Sequence, residues 1–165
     1  MVSRTSSDYW EGLYEQFLHT TDVSTAFRSA VKLGEIQNCL RNSMLPRSVK
    51  VGLELKIDEG LSYIAAPESL QSELIERLSK LQRIVGTGTK FTYEEIVIII
   101  SQRIQVDLVL GLPSIGLQVD RPMIERIDDA IRTLSTAPEN QSAFRAAKKS
   151  VGKNWGSPIR HWLLD

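Results

Sequence analysis

The stretch from Val49 to Asp58 constrains this chain more than any other. Val49, Val51, Leu53, Leu55 and Ile57 alternate there with Lys50, Gly52, Glu54, Lys56 and Asp58. Successive side chains of a strand point to opposite faces, so a period of two predicts a strand with one buried and one wet face. A solvated face favours an antiparallel sheet. Asp58-Glu59-Gly60 supplies turn chemistry, and Leu61 to Ala66 is expected to return as a shorter strand. A second alternation, Ile104, Val106, Leu108 and Leu110, is followed by Pro113-Ser114 and then by Ile115, Leu117 and Val119. That order reads as a second hairpin over 104–119.

Helical periodicity fills the rest. Asp8 and Glu11 are spaced as a cap, with Trp10, Leu13, Phe17 and Leu18 on one face. Val23, Ala26, Phe27, Ala30 and Val31 open a second helix that continues toward Leu40 and ends before Pro46. Pro67 suits a first turn, Leu70, Leu74, Leu78 and Leu81 follow at helical spacing, and Gly86 stops a helix expected over 67–85. Thr92-Tyr93-Glu94-Glu95 has the form of a capping box. The run Ile96 to Ile100 has the β-branched density of a strand, and the cap decides for helix over 93–103. Asp120 caps a helix near 121–135, Pro138 breaks it, and a last helix covers 139–151.

The expected fold is therefore α+β, a small antiparallel sheet of two hairpins packed with about five or six helices. Residues 1–7 are read as a flexible N-terminus, and 8–165 as a single domain ending in a basic, aromatic tail over 152–165.

Composition excludes more than it selects. Twenty basic and 20 acidic residues cancel, so any electrostatic function must come from how charge is distributed. The lone Cys39 forms no internal disulfide, and the first residues lack the apolar core of a signal peptide, so a cytoplasmic location is expected. The longest apolar run, Ile96 to Ile100, is far short of the roughly 20 residues a transmembrane helix needs.

Reactive groupings are thin. Gly86-Thr87-Gly88-Thr89-Lys90 resembles a phosphate cradle, but the spacing departs from a P-loop and a helix precedes it, so a helix stop is the better reading. His19, His161 and Cys39 lie too far apart for a zinc site, and Cys39 reads as a small buried hydrophobe. Asp107 and Asp120 flank the second expected hairpin and Asp128-Asp129 lie on a helix, where carboxylates can do acid–base or metal work but more often cap or face solvent. No catalytic, cofactor or metal residue is assigned.

The C-terminal segment stands out instead. From Glu139 onward, Arg145, Lys148, Lys149, Lys153 and Arg160 face only Glu139 and Asp165, with Phe144, Trp155 and Trp162 interleaved. Basic groups beside aromatics contact phosphates and stack on bases, and Trp and Arg equally favour protein interfaces. Arg145, Lys148, Lys149, Lys153, Trp155, Arg160 and Trp162 are the candidate partner-binding residues. The order of strand, helices, hairpin and helical C-terminus loosely resembles rhabdovirus matrix proteins, which self-associate and bind nucleocapsid and membrane; the likeness carries over no site residue.

The function expected is a non-enzymatic protein–protein interaction or assembly module, such as an adaptor, an immunity-type inhibitor or a self-associating viral structural protein. The alternative is nucleic-acid or anionic-membrane binding by the basic segment, and a small carboxylate-dependent enzyme ranks below both. Removing residues 153–165 is expected to leave the fold largely intact.

Overall fold

The structure, a computed structural model, describes residues 12, 14–18, 26–42, 45–62, 64, 67–112, 117–154 and 161–164. Among these there is no strand: the expected α+β sheet is replaced by helices throughout. Residues 14–18 belong to α1. There follow α2 (Ala26–Asn42), α3 (Arg47–Leu61), α4 (Pro67–Val85), α5 (Tyr93–Leu110), α6 (Arg121–Thr136) and α7 (Gln141–Asn154), then a 3₁₀ turn, Trp162–Leu164. The expected flexible segment 1–7 lies outside the described residues.

The alternating stretch is α3, and its failure as a strand has a simple cause. Val49, Leu53 and Ile57 are four apart, a spacing that satisfies both a period of two and the helical repeat. In the helix, Leu53, Ile57 and Gly60 are buried, while Val51 and Leu55 are left exposed. Leu61, the expected start of the return strand, is the last residue of α3. The first half of the second expected hairpin is α5, where Ile104, Val106, Leu108 and Val109 are all buried. This helix carries apolar residues around most of its circumference, Ile98 on its exposed side included, so it shows no clear period and its apolar letters read equally well as strand. The other half is irregular backbone over 117–120, and 113–116 lie outside the described residues.

The local signals hold where they carry explicit chemistry. Thr92 Oγ accepts from the Glu95 amide at 3.2 Å while the Glu95 carboxylate accepts from the Thr92 amide at 3.0 Å, completing the capping box of α5. Asp120 accepts from the Met123 amide at 3.0 Å and caps α6. The amide of Gly86 donates back to Gln82 and Arg83, ending α4 as expected of a glycine stop.

α5 is the axis of the molecule, with α2, α4 and α7 packed around it; α3 lies on α2 and α6 on α4. Ile96, Ile99, Ile100 and Ile104 of α5 have no exposed surface, each stabilising the fold by roughly 1.5–3 kcal/mol. Two side-chain amides fasten connecting loops. Gln71 exchanges two hydrogen bonds with the backbone of Gln118, at 2.8 and 2.7 Å. Asn140, fully buried, accepts from the Phe91 amide at 3.0 Å and donates to the Thr89 carbonyl at 2.7 Å, tying the 86–91 loop to the start of α7.

α2 and α5 pack backbone to backbone at Gly34, where an added Cβ would lie on the Leu108 carbonyl group. Gly34→Ala is expected to destabilise the protein by about 1–3 kcal/mol through this clash, despite its better helix propensity. Gly152→Ala in α7, where a Cβ meets nothing within 4 Å, is expected to be neutral or stabilising by less than about 1 kcal/mol. Urea unfolding of the two variants measures the difference.

Candidate functional site

α7 buries Phe144, Ala147 and Val151, which turns its other faces outward. Between Gln141 and Asn154 it carries Arg145, Lys148, Lys149 and Lys153 and no acidic residue. Arg145, Lys149 and Lys153 are exposed and Lys148 is half-buried. A shallow groove of about 600 Å3 runs beside this ridge, bounded by Ser135, Gln141, Phe144, Arg145, Lys148, Lys149 and Leu164. The fold thus brings three of the basic residues singled out from sequence to one groove, with Lys153 a turn further along. Trp155 and Arg160 lie outside the described residues.

Trp162 has a different fate. It is half-buried, stacked on His161 with ring centroids 5.7 Å apart, and the Arg132 guanidinium of α6 lies 4.7 Å from its ring centre. Leu163 beside it is 2% exposed. This end of the tail is packed on the bundle, so the expectation that its removal leaves the fold largely intact needs correcting.

The anchor of the tail is an ion-pair network that no local sequence pattern announces. Arg103 of α5, 3% exposed, forks onto Asp128 of α6 through Nε at 2.6 Å and a terminal nitrogen at 3.0 Å. Its other terminal nitrogen donates to Asp107, one turn along α5, at 2.5 Å. The second oxygen of Asp107 takes His161 Nε2 at 2.6 Å. The Leu163 amide donates to His161 Nδ1 at 3.2 Å, so Nδ1 is the acceptor and the ring proton sits on Nε2, facing the carboxylate. Two paired aspartates hold one guanidinium, and the histidine ties the tail to the same group.

Burial by itself would raise the Asp107 carboxyl, but the hydrogen bond from His161 and the charge and hydrogen bond of Arg103 outweigh it, and the group sits below its ordinary 3.8. Burial likewise works against the charge on Arg103, and its bonds to Asp128 and Asp107 more than restore it. Glu35 in α2, 4% exposed, is the opposite case: burial raises its carboxyl above 4.5, and Lys32 at 3.5 Å offsets this only in part.

The remaining sequence candidates resolve into structural roles. Asp107 is joined by Asp128 rather than by Asp120, which caps α6. Asp129 is exposed and pairs with Arg132 at 3.3 Å. The 86–90 turn is a helix stop: the Thr87 hydroxyl donates to the Ile84 carbonyl at 2.8 Å, and the Asn140 amide takes up the Thr89 carbonyl. His19 lies outside the described residues. Among the described residues, no three His, Cys, Asp or Glu side chains are placed to hold a metal ion. A second cleft, of about 540 Å3, lies between the end of α5 and the start of α6; its charged lining is Arg103 and Asp107, which pair with each other, together with Arg121 and Glu125.

Sequence reasoning missed Arg103. Its one visible signal is the i,i+4 spacing to Asp107 inside an apolar helix. Comparison of the chain with protein-family models, curated proteins and solved structures returned no match. The likeness to rhabdovirus matrix proteins rested on strands that the structure replaces with α3 and α5. No described helix is long and apolar enough to cross a membrane.

Two outcomes are expected. Deleting residues 161–165 removes buried Leu163 and the His161 partner of Asp107, at a cost of about 3 kcal/mol in urea unfolding. The two carboxylates give opposite pH dependences. Asp107 is held below its ordinary value, so its contribution is complete above about pH 4 and is lost as pH falls further. Asp107→Asn therefore destabilises at neutral pH, and the gap to wild type narrows below about pH 4. Glu35 is held above its ordinary value, so Glu35→Gln stabilises at neutral pH, and that gain disappears on acidification to about pH 4. Unfolding curves at three pH values read both effects.

Proposed function

We propose that the protein is a non-enzymatic interaction module that engages a polyanion, nucleic acid above all, through the outward ridge of α7. One observation carries the reading: Arg145, Lys149 and Lys153 are exposed at successive four-residue steps, on a helix without a carboxylate. Each step advances about 6 Å along the axis and turns by about 40°, so the cations form a gently winding line. A line of charge suits the regularly spaced phosphates of a nucleic-acid strand, and neutralising them releases counterions.

The adaptor and inhibitor readings drew on exposed tail aromatics, and Trp162 is committed to packing, which leaves the cationic ridge as the stronger support. The non-enzymatic part of the reading is supported by how several reactive groups among the described residues are used. Both ring nitrogens of His161 are engaged, and Asp107, Asp128 and Asp120 each hold a structural partner. A reducing, cytoplasmic location goes with this reading on the strength of the single Cys39.

A mobility-shift titration of a 20-base-pair duplex tests it. Three or four phosphate contacts give a plot of log affinity against log salt with a slope of about −3. Replacing Arg145, Lys149 and Lys153 together with alanine is expected to weaken binding at least roughly tenfold at about 50 mM salt. Binding that ignores both salt and these substitutions, or no binding at low salt, would refute the reading.

A further inference from the structure

We infer that α3 is the seam of a symmetric homodimer in which it pairs antiparallel with α3 of a second copy. The inference does not depend on the α7 reading. Among the described elements α3 packs on α2, and its far face carries Val51 and Leu55, 46% and 65% exposed. They lie four residues apart and so form one apolar stripe along that face. Gly52 interrupts the stripe: a Cβ there would meet nothing within 4 Å, which leaves a shallow hollow on the surface.

The charges of α3 say what covers the stripe. Arg47 stands in its first turn and Asp58 and Glu59 in its last, with no acidic residue in the first turn and no basic residue in the last. This order opposes the helix dipole, which favours anions at the start and cations at the end. The start gains no help from its cap, since Pro46 makes no side-chain hydrogen bond. Standing alone, α3 places both sets of charges at the wrong end. A second α3 running the other way corrects both at once, because it lays its acidic end along this basic end.

The register follows from the helical repeat. A two-fold axis crossing the seam at the height of Leu53 seats Leu55 of each copy over Gly52 of the other and sets Arg47 opposite Asp58 on the same flank. Lys50 and Lys56 turn away from the seam toward the helix's own bundle; the Lys56 ammonium lies 5.3 Å from the Tyr14 ring centre. The interface uses the same surface on both copies, so it closes at two. One pair of 15-residue helices makes a small interface, of the size class below roughly 1,200 Å2 to which weak, transient association belongs.

Sedimentation equilibrium of the full chain from about 1 to 500 μM tests this, spanning the affinities expected for so small an interface. The expected result is a monomer–dimer equilibrium that Leu55→Glu abolishes. Arg47→Asp and Asp58→Arg should each weaken self-association by roughly tenfold, because each acts twice in a two-fold interface. An equimolar mixture of the two single variants should dimerise as well as wild type, since the mixed pair restores opposite charges at both contacts. The double variant should do the same on its own. All three side chains changed are exposed, and far-UV circular dichroism checks that each variant is folded. A chain that stays monomeric across the range overturns the inference. So does a dimer indifferent to Leu55→Glu, or charge variants that the mixture fails to rescue.

Discussion

The burial of α5 governs everything else in this structure. Ile96, Ile99, Ile100, Ile104, Val106, Leu108 and Val109 give this helix buried apolar positions around most of its circumference, and it is stable only inside a ring of neighbours. α2, α4 and α7 supply that ring. One of these contacts, α2 at Gly34 against Leu108, leaves no room for a side chain. The direction in which α7 presents its cations follows from the same constraint: Phe144, Ala147 and Val151 must face α5, so the basic residues on the other faces must point to solvent.

Polar groups join the ring to its outer parts. Arg103 is the one charged residue of α5 that is buried, and it reaches beyond the helix's own neighbours to Asp128 on α6. A buried guanidinium without partners would be strongly destabilising, and with two carboxylates it becomes a joint that holds its elements in one arrangement. His161 extends the joint to the tail and so places Leu164 at the rim of the basic groove. Asn140 and Gln71 act in the same spirit at the loops, each standing in for a strand partner where the backbone has none. The basic groove beside α7 is therefore held from beneath by this joint.

Signals made of specific local chemistry were legible in advance. The Thr92–Glu95 box, the Asp120 cap, the Gly86 stop and the leucine spacing of α4 all depend on residues within a turn of one another, and each forms as expected. The basic residues of α7 were legible because their charge alone keeps them at the surface. Hydrophobic alternation was not a safe guide: in α3 the subset Val49, Leu53 and Ile57 belongs to two periods at once, and in α5 apolar residues stand on nearly every face, the exposed Ile98 among them, and blur the period. The tail misled for a different reason. Tryptophans beside cations look like a binding surface until the tertiary structure supplies a place to bury them, as it does for Trp162.

The amino-acid order by itself determined where α4, α5 and α6 begin and where α4 ends, which residues carry charge, and how few groups are available for chemistry, because those properties depend on neighbours within about four residues. Only the tertiary structure decided that the alternating segments are helical and that Arg103, Asp107, Asp128 and His161 form one joint. Their partners lie 25 and 54 residues apart, and no short-range pattern can register a contact that exists only once the core has closed.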